Sequence, residues 1–390
     1  MITSYGRFRL ERLPLRQNEK LQAWDAADEL IINHIFCDCE STESNTQATI
    51  GSVLLVNDSF GSLSVALNHY EPDNWSDSVT SHESAKYNIK LNKLNPVNCI
   101  KSINSLNKRY DLVLMKLPKT SSLLEHQLIE IRKNLSEKAT VIASGMIKHN
   151  NKSQLALFEK YIGKTHTSLA KKKARLVFSA PEKPILSQNY SSPFPSQYKE
   201  ESIAFSLHNH ANVFSHNKLD IGTRFMLSQF PKLPEAKTIL DLGCGNGVLG
   251  ISAAIFQKEK HGIESNAHFV DESYMAIDSA KKNVLSTLGA TGKNFSNFQF
   301  HENISLEKLE INNVDLILCN PPFHQNHTIG DHIAKLMIAN SKKMLVDNGV
   351  LWLVGNRHLN YKDTMKRTFG NCQVIASNKQ FDVLSSEVFV

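Results

Sequence analysis

The stretch TILDLGCGNGVLGISAA, Thr238 to Ala254, runs from an apolar strand through a glycine-rich turn into an apolar helix. Thr238, Ile239 and Leu240 lead to Asp241, and Gly243, Gly245 and Gly247 then fall at every second position. Glycines permit positive φ and close backbone approach to a ligand, while the free N–H groups of the helix start face whatever sits in the turn. The spacing differs from the Gly-x-Gly-x-x-Gly of dinucleotide binders, because these glycines alternate directly after an acid. Strand, glycine loop and helix in this order predict a doubly wound α/β domain with its ligand beyond the carboxyl ends of the strands.

A second stretch lies on the same predicted edge. Cys319-Asn320-Pro321-Pro322-Phe323-His324 follows the apolar run Val314 to Leu318. The lone pair of an aryl or amide NH2 is delocalised, so the amine is a poor nucleophile until acceptors pull on its hydrogens. Asn320 would offer its side-chain carbonyl, Pro321 a backbone carbonyl, and Phe323 an aromatic face. Pro321 and Pro322 fix two consecutive φ angles and stiffen the loop. The tetrad therefore points to methylation of a flat amine, although a plain turn also reads Asn-Pro-Pro.

With its spacing, the glycine stretch resembles motif I of class I S-adenosylmethionine-dependent methyltransferases. The resemblance implies S-adenosylmethionine as cofactor, with Asp241, Gly243, Gly245 and Gly247 holding its amino acid end and the acid facing the ammonium. The next predicted strand, Ala267 to Val270, ends in Asp271-Glu272-Ser273, and an acid at that tip suits a ribose diol. The resemblance favours Asp271, with Glu272 as competitor, and either also reads as a cap of the following helix. A third strand, Phe298 to His301, precedes Asn303, which falls where the family often contacts adenine.

The first half of the chain carries the same plan. Asp111 to Lys119 matches Asp315 to Phe323, Val53 to Ser64 matches Ile239 to Gly250, Ala85 to Asn88 matches Ala280 to Asn283, and Val141 to Ser144 parallels Leu353 to Asn356. All four fall in the same order, with a period suited to two copies of one domain. The first copy keeps only Gly61 of the three loop glycines and has Lys116 and Lys119 in place of Asn320 and Phe323. It is expected to bind neither cofactor nor base. Proline-rich residues between the copies read as a linker, giving residues 1–180, a linker at 181–199, and residues 200–390 as the catalytic domain.

Length and composition agree with this division. The chain has 390 residues and 41% hydrophobic content, enough for two or three globular domains. No run reaches the roughly 20 apolar residues of a membrane span, so a cytoplasmic protein without a membrane partner is expected. Residues 1–195 hold 25 Lys and Arg against 19 Asp and Glu, and the remainder holds 19 of each, so the whole net charge of +6 lies in the degenerate copy. It includes Arg7, Arg9, Arg12, Arg16, Lys171, Lys172, Lys173 and Arg175. A basic, catalytically empty domain suits a phosphate backbone. The six cysteines, Cys37, Cys39, Cys99, Cys244, Cys319 and Cys372, form no Cys-x-x-Cys pair and read as reduced, without metal. Cys244 and Cys319 read as small buried residues rather than nucleophiles. His208 and His210 lack further metal ligands at usable spacing and read as an exposed turn or phosphate contact.

The segment Phe214-Ser-His-Asn-Lys-Leu-Asp220-Ile-Gly-Thr before the glycine loop, taken with Asn-Pro-Pro-Phe-His, resembles the ribosomal RNA guanine-N2 methyltransferases of small-subunit (type C) and large-subunit (type G) kind. Leu21 to Glu29, Leu117 to Thr120 and Phe369 to Cys372 are similar to the large-subunit type. The resemblance covers essentially the whole chain and implies two tandem Rossmann-like domains, the first degenerate. It also implies Phe214 and Asp220 beside the cofactor, a large-subunit ribosomal RNA partner, and a monomer. Residues Phe256 to Ala267 depart from the family spacing, which leaves the register of the second strand, and so Asp271, open. Adenine-N6 transfer to DNA, glutamine-N5 transfer to protein, a small-subunit guanine, and a non-catalytic RNA-binding factor remain the alternatives.

Overall fold

Short apolar runs build the centre of two sheets, because a parallel strand covered on both faces has no solvent side to alternate towards. The computed structural model describes every residue except 4–5, 38–49, 148–150, 289–294, 304–308, 310, 323–328 and 390. The chain divides into Met1–Phe194 and Pro195–Val390.

In the first unit the strands are β1 (Val53–Val56), β2 (Asp73–Ser76), β3 (Asn98–Lys101), β4 (Tyr110–Lys116), β5 (Leu135–Met146), β6 (Thr165–Thr167) and β7 (Ala174–Ser179). They lie in the order β3-β2-β1-β4-β5-β7-β6. The second unit has β8 (Thr238–Leu242), β9 (Asn266–Asp271), β10 (Phe298–Glu302), β11 (Val314–Cys319), β12 (Leu345–Asn356), β13 (Gln373–Ser377) and β14 (Phe381–Glu387), in the order β10-β9-β8-β11-β12-β14-β13. In each sheet the first five strands are parallel, and the last two pair antiparallel. These are the expected doubly wound α/β domains in tandem.

The repeat holds at the level of single atoms. Ser52, just before β1, donates its backbone N–H to Oδ2 of Asp111, and Lys237 and Thr238, at the start of β8, donate theirs to Oδ2 of Asp315. Gly61 and Gly247 each cap a helix at φ +79°, where a Cβ would strike Ala85 in one unit and Ala280 in the other. One expected match shifts. Val113 pairs with Val141 and Ile317 with Leu351, so Val141–Ser144 corresponds to Leu351–Val354, two residues before the stretch read from sequence. A shift of two preserves which face each side chain occupies, so the apolar pattern does not detect it.

The stretch expected as a linker is packed at both ends. Lys183–Leu186 forms a short helix, Arg132 donates to the carbonyl of Ile185, and Tyr190 meets Tyr161 edge to face at 5.0 Å. Beyond the division at Pro195, Ser196–Lys199 pairs antiparallel with Ser206–Asn209. The departure at Phe256 to Ala267 resolves into a long helix, Val248–His261, ended by left-handed Gly262 and followed by β9. Among the described residues no helix is long and apolar enough to cross a membrane.

Candidate functional site

The order of the second sheet reverses between β8 and β11, which opens a crevice at the carboxyl ends of these neighbours. Leu242 pairs with Cys319, so Gly243 and Asn320 leave the sheet side by side. Leu242 also pairs with Val270, and Asp271 with Glu302, which brings the tips at Asp271 and Asn303 onto the same edge. The four positions singled out in sequence thus meet because their strands share one register.

The glycine loop is tied to its neighbours by backbone. Gly243 and Cys244 donate to the carbonyl of Val270 at 2.8 and 3.0 Å, and Gly245 donates to Oδ2 of Asp271 at 2.9 Å. Gly243, Gly245 and Gly247 are all left-handed, at φ +71°, +54° and +79°. A Cβ on Gly243 would press on Met337, whereas one on Gly245 would meet nothing within 4 Å. The top of the loop is open. Asp271 receives Ser273 N–H on its other oxygen at 2.9 Å, so its carboxylate stands fixed at the strand tip.

Asp241 behaves differently from the expectation of a ligand-facing acid. Its side chain is buried beneath the helix start and takes the N–H of Gly250 on Oδ2 at 2.8 Å. Burial pushes its carboxyl up to about 8, against the pull of the Gly250 amide and with Asp271 adding to the rise. Gly250 allows this approach, since a Cβ there would fall 3.0 Å from that of Asp241 and 2.7 Å from the Phe269 ring.

Asn320 is held at its amino end. Its Nδ2 donates to Oδ2 of Asp220 at 3.1 Å and to Oγ1 of Thr223 at 2.8 Å. Its Oδ1 is buried and accepts no hydrogen bond from the described residues. Asp220 is the cap of the helix Ile221–Leu227 and accepts from Thr223 N–H at 2.9 Å. Pro321 is buried and Pro322 half-buried. Phe323, expected as the stacking face, lies outside the described residues. The arrangement therefore presents an unfilled acceptor next to an open glycine loop and an acid.

The His208-Asn-His segment is a strap, not an exposed turn. Asn283 accepts the His208 N–H on Oδ1 at 2.6 Å and donates to the carbonyls of His208 and Asn246 at 3.0 and 2.9 Å. Asn246, inside the glycine loop, donates to Oδ1 of Asn209 at 3.0 Å. His210 pairs through Nε2 with Asp278 at 2.6 Å, and this bond, with Lys282, lowers the Asp278 carboxyl to about 2. Phe214, expected against the cofactor, ends this segment 71% exposed. Sequence reading missed Thr223, Asn209 and Asn246. The signals in the sequence are the Asp-x-x-Thr spacing of a helix cap and the Asn88/Asn283 match.

The corresponding edge of the first unit is filled by its own side chains. Lys116, in the place of Asn320, bonds Asp28 at 2.7 Å and Asp25 at 3.2 Å. Burial opposes the charge on Lys116, but the two carboxylates outweigh it and hold its pKa raised, while burial lifts Asp28 to about 6. Leu55 replaces Asp241, and the buried Asp58 takes the N–H groups of Leu63 and Ser64 at the helix start. Those donors are thus occupied internally.

Burial raises the thiol pKa values of Cys244 and Cys319, which disfavours the thiolate form of both. Cys99 and Cys372 are also free thiols, whereas Cys39 and the side chain of Cys37 lie outside the described residues. Among the described residues no three His, Cys, Asp or Glu groups gather as metal ligands.

Comparison with known proteins covers nearly the entire chain. Residues 1–183 match the family model of the RLMG N-terminal domain, and residues 204–385 that of the methyltransferase small domain. The chain is 41% identical to the ribosomal RNA large subunit methyltransferase G of Pseudoalteromonas translucida over 384 residues, 97% of this chain and 95% of the relative. It is 41% identical to that of Aeromonas hydrophila over 391 residues, 98% of each chain. The solved T. thermophilus 16S rRNA N2 G1207 methyltransferase, in complex with AdoMet and guanosine, superposes with a TM-score of 0.74 at 18% identity. That match covers 100% of this chain and 97% of the other, and shows a shared fold.

Proposed function

The chain belongs to the ribosomal RNA large subunit methyltransferase G family, and from that premise we propose that it methylates the N2 amine of one guanine in large-subunit ribosomal RNA. In this reading Pro195–Val390 is the catalytic unit and Met1–Phe194 holds RNA. The protein works as a cytoplasmic monomer.

The edge of the second unit fits S-adenosylmethionine, since Gly245 faces open space and the Asp271 carboxylate stands beside it. When bound, the cofactor supplies an electrophilic methyl group on a sulfonium. The loop Gly243–Gly247 would hold its amino acid end, Asp271 the ribose hydroxyls and Asn303 the adenine, with Phe214 and Asp220 bordering the site. Asp241 serves from below, fixing the helix start to β8.

The observation that carries the reading is the buried, unfilled Oδ1 of Asn320. A flipped-out guanine would offer it an N2 hydrogen, the Pro321 carbonyl would take the second, and Phe323 would stack on the base. Two acceptors on a planar amine return electron density to nitrogen, so these residues catalyse by position and polarisation. Water suffices for the proton, because nitrogen becomes strongly acidic as it gains the methyl group.

The first unit supports RNA binding through one element. Arg9 pairs with Glu11, Arg12 lies over the Phe60 ring and Arg16 pairs with Glu19, so these three arginines already have partners within the unit. The β6–β7 hairpin instead presents Lys171 and Lys173 to solvent, next to Leu169.

Labelled methyl transfer to naked RNA from each ribosomal subunit, to intact subunits, to DNA and to protein tests the substrate. Label is expected on guanine N2 of large-subunit RNA, whereas label on small-subunit RNA, adenine or glutamine would favour the corresponding rival. Asn320→Ala is expected to slow transfer by roughly 100-fold or more, the scale seen when a polarising group is lost. An unchanged rate would remove Asn320 from the chemistry.

A further inference from the structure

We propose that Asp220 and Thr223 are positioning residues that fix which end of the Asn320 amide faces the substrate, and that they influence the rate through Asn320. The inference rests on the role proposed for Asn320. An amide has a donor end and an acceptor end of nearly the same shape, so a flip about its last bond exchanges them. One end of Asn320 lies 3.1 Å from Oδ2 of Asp220 and 2.8 Å from Oγ1 of Thr223. A carboxylate accepts and does not donate, so this end is the NH2 group, and the buried, unbonded end is the carbonyl oxygen. A flipped amide would set its carbonyl against the Asp220 carboxylate and turn its own donors toward the donors of a substrate amine.

The two residues form a single frame. Oδ2 of Asp220 also accepts the Thr223 N–H at 2.9 Å, so the helix cap that orients Asp220 places the Thr223 hydroxyl beside it. The first unit has the same frame around a different side chain. There Asp25 begins the helix Ala26–Cys37, accepting the Ala27 N–H at 2.8 Å, and Asp28 follows three residues later, as Thr223 follows Asp220. Both carboxylates close on Lys116, the counterpart of Asn320. A cap residue and the third residue after it thus grip the strand tip in each unit. Only in the second does the gripped side chain retain an unfilled acceptor.

Thr223→Val tests this, because it keeps the shape and removes the hydroxyl. It is expected to lower the thermal midpoint by no more than about 2–4 °C and to lower the single-turnover rate on large-subunit ribosomal RNA roughly 10-fold, the scale of one lost hydrogen bond. The KM values for S-adenosylmethionine and RNA should stay within about twofold, and Thr223→Ser should restore the rate. In an Asn320→Ala background Thr223→Val should cost nothing further, since the group it orients is gone. A parental rate for Thr223→Val, a loss confined to KM, or a full additional loss in that background would overturn the proposal while Asn320→Ala remained impaired. A parental rate for Asn320→Ala would instead overturn the role of Asn320, and this proposal with it.

Discussion

Burial of Asp241 has a consequence for stability that can be measured. An unfolded Asp loses its proton near pH 4, whereas in the folded chain Asp241 keeps it up to about 8. Between those values the folded state binds more protons than the unfolded one, so this group makes stability fall as pH rises. Asp241→Asn still accepts from Gly250 but cannot ionise. Urea midpoints at pH 5, 6.5 and 8 are expected to fall less steeply for the variant, with the variant ahead of its parent at pH 8; parallel slopes would mean an ordinary carboxyl. At this scale Asn320, Asp271 and the loop glycines were legible because their residue types carry unusual chemistry or backbone freedom. Thr223 was not, since a threonine on a helix looks ordinary until its neighbour in space is known.

Each unit fastens an upstream segment to its loop with one wholly buried asparagine. Asn88 accepts the Glu11 N–H at 2.8 Å and donates to the carbonyls of Glu11 and Phe60 at 2.9 and 2.8 Å, matching what Asn283 does for His208 and Asn246. Truncation leaves one buried and two part-buried backbone groups without this partner, so Asn283→Ala is expected to cost about 2–4 kcal/mol. Chemical denaturation of the full chain checks this, and a cost under about 1 kcal/mol would mean that water replaces the side chain. Strands such as β8 and β11 are readable from apolar runs that a single aspartate interrupts, Asp241 in one and Asp315 in the other. The correspondence of β5 with β12 was read two residues late, because alternation repeats every two residues and only strand pairing distinguishes the choices.

For the whole molecule, RNA affinity should depend on charge placed in the first unit. The β6–β7 connection spans residues 168–173, with Lys172 and Lys173 in left-handed conformation and Leu169 93% exposed, where the equivalent β13–β14 connection needs only residues 378–380. Lys172 pairs with Glu29 at 2.7 Å, so Lys171 and Lys173 are the cations to remove. Lys171→Ala with Lys173→Ala is expected to weaken RNA binding and reduce the slope of log affinity against log salt by about 1 to 2, as two lost phosphate contacts require. An unchanged slope would place the RNA contact elsewhere. The duplicated α/β plan and the glycine loop are legible along the chain alone, because glycine, proline and apolar patterning act locally. The fold was needed to show that Asp241 lies beneath its helix, that Asn283 ties a distant strap to the loop, and that Asp220 and Thr223 hold the Asn320 amide across nearly 100 residues of chain. Those are contacts between groups far apart in sequence, and their partners exist only once the strand order and register bring the tips to one edge.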